Sequence, residues 1–269
     1  MIKKIMICAI GIMMLTGCNA GSSKNGQGDQ PDKTENLSHL QEDGVSDQSK
    51  ESANPQALTQ EEVIQETEKQ LKTGMPVKLP KTIVVSDGKY LTAKTSSDSD
   101  QYVVMFFETD QPVPINNDEL ENMKVNIATL KGTKYESEEK AAEQVNYENH
   151  AEVGGQKIDL GNGITGYAEG AAGSQYIGWN EGRWSIVVRG QTEQGEHVAD
   201  EAKKVVQYLE EHTLPVPHEH GAAMLDVTEN NEEHVQRIVW QEGEIVYEIE
   251  AVRSALEALD LAVATAGNP

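Results

Sequence analysis

The sequence predicts an α+β domain in which antiparallel β-meanders are covered by helices, two tandem meander-plus-helix units among them, behind a disordered tether. Three observations carry this expectation. From residue 77 onward, β-branched and aromatic residues alternate with period two, as half-buried strands require. Two segments 61 positions apart share one hairpin pattern, Trp179-Asn-Glu-Gly182 and Trp240-Gln-Glu-Gly243, each followed by alternating apolar residues. Each of these hairpins then runs into a stretch with helical spacing, the natural cover for an apolar sheet face.

Taken in order, the folded part starts at Thr59. With Glu62 this residue makes a capping box, and Gly74 with Pro76 makes a stop, so a peripheral helix is expected over about residues 59–72. Strands are expected over 81–85, 89–95, 101–109 and 124–134, with turns at Asp87-Gly88 and over Ser96 to Asp100. A short helix fits 137–145. In the second half, strands at 164–169 and 223–228 precede the hairpins 176–188 and 237–249, with turns centred on Asn180–Gly182 and its counterpart. Helices follow. One, over 197–212, carries Val198, Ala202, Val205 and Leu209 on one face; the other starts at Ser254, which makes a capping box with Glu257. Residues 59–150 and 151–269 are thus read as two stretches, compatible with a single domain.

The chain begins differently. Lys3 and Lys4 precede an eleven-residue apolar run, Ile5 to Leu15, too short to span a bilayer and suited to an export signal. The run ends in Leu15-Thr16-Gly17-Cys18. This motif resembles the lipobox of bacterial lipoproteins. The resemblance implies cleavage between Gly17 and Cys18, with 1–17 removed as signal peptide, and a covalent diacylglycerol on the Cys18 sulfur. Two or more acyl chains anchor stably where one does so marginally. The implied location is the outer face of the cytoplasmic membrane, the lipid bilayer being the first partner. The only other cysteine is Cys8, inside the signal, so no disulfide is expected.

Residues 18–58 contain no aromatic and few apolar side chains, which cannot offset the entropy of ordering. They are expected to be a flexible linker with a mean reach on the order of 35 Å. The formal net charge of −23 argues against a nucleic-acid partner. No 18-residue apolar run follows the signal, which argues against a polytopic membrane protein. Residues 174–263 loosely resemble the sheet-and-helix domains of Gram-positive lipoproteins, sigma-regulator proteins and lipoprotein-localisation factors. That resemblance implies fold and compartment only; no motif in it is catalytic.

Candidate chemistry is sparse. His212 and the run Pro217-His218-Glu219-His220 have a spacing that suits zinc or copper, with His212 or Glu219 as a third ligand; the alternative is a solvated loop after a helix end. Tyr176, Trp179 and Trp184 are a candidate ligand or partner face if the two indoles flank the hairpin turn; the alternative is core packing. Gly161-Asn-Gly163-Ile-Thr-Gly166 matches a dinucleotide fingerprint by letter, yet no helix start follows, and Asn162-Gly163 reads as a hairpin turn. Asp98-Ser-Asp100 lacks the remainder of a calcium loop. No Gly-x-Ser-x-Gly or His-Glu-x-x-His is present. The expected function is therefore a non-catalytic, lipid-anchored binding or accessory domain of the envelope, with no cofactor and an unnamed envelope protein or small ligand as partner. A metal-binding lipoprotein and, behind it, a wall-remodelling hydrolase are the alternatives.

Overall fold

The computed structural model divides the chain into two units, Met1–Glu51 and Ser52–Pro269. It describes residues 57–228, 236–251 and 253–266, all within the second. Gly17, Cys18 and residues 19–56 of the expected tether lie outside the described residues.

The fold is α+β. Ten strands form one sheet: β1 (Tyr90–Ser97), β2 (Gln101–Thr109), β3 (Ala128–Lys134), β4 (Gln156–Gly161), β5 (Ile164–Ala171), β6 (Ser174–Glu181), β7 (Trp184–Gln191), β8 (Gly221–Asp226), β9 (Gln236–Glu242) and β10 (Ile245–Ala251). Their order across the sheet is β1-β2-β3-β10-β9-β8-β7-β6-β5-β4. Neighbours are antiparallel except β7 and β8, which run parallel and are joined by helix α4 (Gly195–Glu211). The sheet therefore passes without a break through both stretches that the sequence separates at residue 150.

The pleat sends alternate side chains to opposite faces. One face carries Tyr102, Val104, Phe106, Ile177, Trp179, Ile186, Val188, Leu225, Ile238, Trp240, Tyr247 and Ile249, all within the main core. Against that core lie α1 (Gln60–Gln70), α4 and α5 (Ala255–Thr265). In α4, Val198, Ala202, Val205 and Val206 recur at three- and four-residue spacing and are fully buried, each Val contributing roughly 1.5–3 kcal/mol by leaving water. Thr59 and Ser254 both close the capping boxes read from sequence.

The other face is crossed by the connection from β3 to β4. It carries α2 (Glu138–Ala142) and α3 (His150–Val153) from the middle of the sheet to its far edge. Ala141 and Val145 pack there on Val239 and Val246, the residues that alternate with the core-facing Trp240 and Tyr247.

Four sequence expectations need correction. Residues 81–85 form no strand: the Lys81 amide donates to the Ala264 carbonyl of α5 at 3.3 Å, and Ile83 is buried while Val84 is exposed. The alternation is real, but a helix satisfies it instead of a sheet. β4 was not foreseen, because its two inward apolar residues, Ile158 and Leu160, sit among Gln156, Lys157 and Asp159 at a sheet edge. The strand expected over 124–134 begins only at Ala128. The hairpin turns fall at Gly182-Arg183 and Gly243-Glu244, one step later than Asn180–Gly182, with φ of 57° and 62° at the glycines.

Candidate functional site

The repeat is a structural one, and each position of Trp-[Asn/Gln]-Glu-Gly has a task. In the first hairpin Trp179 lies opposite Ile186 and Glu181 opposite Trp184; in the second Trp240 lies opposite Tyr247 and Glu242 opposite Ile245. The registers are identical after a shift of 61 residues. The tryptophan enters the core. Two residues on, the glutamate returns to the same face at the strand end. Trp240 Nε1 donates to Glu242 Oε1 at 3.0 Å, and the Lys78 ammonium meets the same oxygen at 3.2 Å while lying 5.8 Å from the centre of the Tyr247 ring.

The Asn or Gln between them points to the other face and holds the crossing connection. Asn180 accepts from the His150 amide at 2.9 Å and donates to the Glu148 carbonyl at 2.7 Å. Gln241 donates to the Glu138 carbonyl at 2.8 Å. The flanking positions match as well. Val239 and Val246 seat α2; their counterparts Gly178 and Ser185 seat α3. There the His150 ring lies over Gly178, with Nε2 3.0 Å from Ser185 Oγ.

Burial pushes the His150 pKa below the usual imidazole range, outweighing the nearby Glu148 and Glu169. The native state thus binds fewer protons here than the unfolded chain, and stability is full above pH 6.5 and declines as pH falls through the window between 6.5 and the lowered native value. The His150→Gln variant is expected to lose that component, which is at most about 1.4 kcal/mol per pH unit. Urea midpoints measured against pH check this: slopes that match the parent below pH 6.5 would show that His150 is not the group concerned.

At the hairpin-turn end of these strands, residues 212–220 lead from α4 into β8, which pairs with both β7 and β9. This strap is pinned throughout. Trp184 Nε1 donates to the Pro215 carbonyl at 3.2 Å, and Arg183 Nη1 donates to the carbonyls of Pro217 at 2.8 Å and His218 at 3.0 Å. The His218 amide donates to the Gln241 carbonyl at 2.7 Å. Leu214 and Pro215 are buried while Val216 is 72% exposed, so the strap is a ridge fixed from beneath.

A cavity lies along each side of this ridge. One, of about 340 Å³, is lined by Glu181, Trp184, Ile186, Leu209, Leu214 and Val216 among others. The second, of about 760 Å³, is lined by Lys78, Glu211, His218, Glu242 and Val263 together with the strap. Both volumes fall in the range of small-molecule sites; the smaller cavity is mostly apolar, and the larger carries as many polar and charged residues as apolar ones. The two repeat glutamates thus face the two sides of one ridge. Their states differ. Glu242 is bonded to Lys78 and Trp240. Glu181 Oε2 and Trp179 Nε1 are both buried and form no hydrogen bond of normal geometry. Burial raises the Glu181 pKa, the Trp179 indole opposing and Glu210 adding to the rise.

The sequence-predicted site residues divide as follows. Trp179 is fully buried and Trp184 nearly so, which favours the core-packing alternative for these two over an exposed aromatic face. They do not flank the turn as a pair, because the register sets Trp179 against Ile186. Gly221 makes room for Trp184: a Cβ there would lie 2.7 Å from its ring. Tyr176 is half-buried on the opposite face, its ring 6.0 Å from the Arg189 guanidinium. The histidines have separate partners. His212 stacks on Tyr208 with ring centres 4.0 Å apart, His220 on Tyr147 at 3.8 Å, and His218 Nε2 is 3.6 Å from Glu138 Oε2. Glu219 is exposed. No group of three or more His, Cys, Asp or Glu arranged to hold a metal ion occurs among the described residues. His212 and His218 belong to the strap that separates the two cavities.

Glu181, Glu242, Lys78 and Arg183 were missed, and Leu209 was read only as part of a helix's apolar face. The repeat held the signal for the first two: residues i and i+2 of a strand share a face, so each glutamate had to return beside a core tryptophan. Lys78 lies between α1 and β1, outside every helix and strand, and nothing local announces its partner. No helix among the described residues is long and apolar enough to cross a membrane. Comparison of the chain with protein-family models, curated proteins and solved structures gave no match.

Proposed function

We propose that this protein is a lipoprotein held at the outer face of the cytoplasmic membrane through Cys18, and that its folded unit is a non-catalytic binding or accessory domain. The observation that carries the reading is the lipobox-like Leu15-Thr16-Gly17-Cys18 at the end of the apolar run. Residues 19–56 separate that cysteine from the folded unit, and their composition suits a tether. The double groove along residues 212–218 is the ligand site in this reading. It has the size of a binding cleft, mostly apolar on the smaller side and mixed on the larger, and its strap is pinned by side chains of the β6–β7 hairpin.

The test is Cys18→Ser in the expressing bacterium. Expected are loss of radiolabelled palmitate incorporation, retention of the uncleaved signal and, after its removal by other means, release of the folded unit from membrane fractions. Unchanged palmitate labelling would overturn the anchor.

A further inference from the structure

We propose that the smaller cavity beside the ridge binds a primary ammonium group carried on a short alkyl chain, with Glu181 as its counter-ion. The proposal rests on the groove being a ligand site and names the chemistry that enters it.

The argument comes from the repeat. In the second hairpin, Lys78 places its ammonium on Glu242 and its charge near the Tyr247 ring. The counterparts of Glu242 and Tyr247 in the first hairpin are Glu181 and Ile186, by the shared register. Both of these residues line the cavity of about 340 Å³. No lysine lines it. The first unit thus has an open volume bordered by the counterparts of the two residues that the Lys78 ammonium meets in the second.

The lining fits such a guest. Leu209, Leu214 and Val216 suit a methylene chain, and Trp184 adds an aromatic wall. Arg183 also lines the cavity, but its Nη1 donates to the carbonyls of Pro217 and His218, which turns the guanidinium to the strap and not to Glu181. Glu181 borders the cavity and forms no ion pair among the described residues, so an entering ammonium would supply its counter-ion. The net charge of −23 raises the local concentration of cations around the whole molecule.

The experiment uses the full-length chain and the indole N–H resonances of its three tryptophans. Titration with n-butylammonium is expected to shift the Trp179 indole signal saturably and leave that of Trp240 in place. The Glu181→Gln variant should bind at least tenfold more weakly and melt no lower than the parent. Leu209→Lys supplies the missing ammonium from α4; it should shift the Trp179 signal without added amine and abolish the response to butylammonium.

Nα-acetyl-lysine methylamide distinguishes the source. Tighter binding than butylammonium identifies a lysine side chain of a polypeptide, and equal binding identifies a free amine. If n-butanol or the Nε-acetylated lysine compound binds as well as the amines, and Glu181→Gln changes nothing, the ammonium assignment falls while the groove stands as a binding site. If none of these probes shifts any groove resonance, the proposal falls together with the reading of the groove.

Discussion

Trp240→Ala is expected to lower the free energy of unfolding by about 3–5 kcal/mol. Trp240 is among the largest fully buried side chains, and its ring stacks on Tyr247 with centres 5.4 Å apart. Truncation removes that burial and leaves a void between sheet and helices that the β9–β10 hairpin cannot close. It also removes the indole donor of Glu242, which then rests on Lys78 alone. Trp179→Ala is the internal comparison. Trp179 is equally buried, but its indole makes no normal hydrogen bond and a cavity already adjoins the neighbouring Glu181. Its loss should cost less by roughly the worth of one hydrogen bond to a charged group, about 1.5–3 kcal/mol. Urea denaturation of both variants decides it; a smaller effect at Trp240 than at Trp179 would contradict the roles given to the two glutamates.

The second large effect is expected at Gly178. A Cβ there would overlap the His150 ring, which lies flat across the backbone of β6. Gly178→Val should therefore destabilise by about 3 kcal/mol, the upper part of the range for overpacking, because the ring is buried and cannot swing into water without losing Ser185. The substitution writes into the first repeat what the second already has, since the counterpart of Gly178 is Val239 beneath Ala141 and Val145. The double variant Gly178→Val with His150→Ala should recover at least about 1 kcal/mol relative to additivity, as expected for residues in contact. Additive losses would mean that the valine is resisted by something other than the imidazole.

These cases show which features were legible and why. The hairpins, their helices and both capping boxes could be read because each is written within about 20 residues in period, turn and cap chemistry. The repeat showed itself through four consecutive letters. What could not be read was which face each letter served: Trp179 and Trp184 looked available because a hairpin seen alone has two faces and no neighbours. Both faces of this one are covered, by α4 on one side and by residues 148–150 on the other. The site suffered the same limit. The histidine run was conspicuous and falls on the ridge, whereas the unequal partners of Glu181 and Glu242 depend on Lys78, a residue from the other end of the folded unit. Residues 81–85 misled for a related reason: a ribbon with one apolar edge looks the same whether a strand or a helix lies beside it.

The strand order has a consequence for how the molecule comes into being. β3 pairs with β10 along its full length, Leu130 facing Ile249, and Gln241 holds Glu138 across 103 positions of sequence. The first three strands therefore wait for the last. A growing or threading chain presents β3 with a bare row of amides and carbonyls until nearly all of it has emerged, so assembly cannot proceed vectorially from the amino end. During that interval the meander is open to annealing with a sister molecule, and any helper that shields a naked strand edge would act at β3.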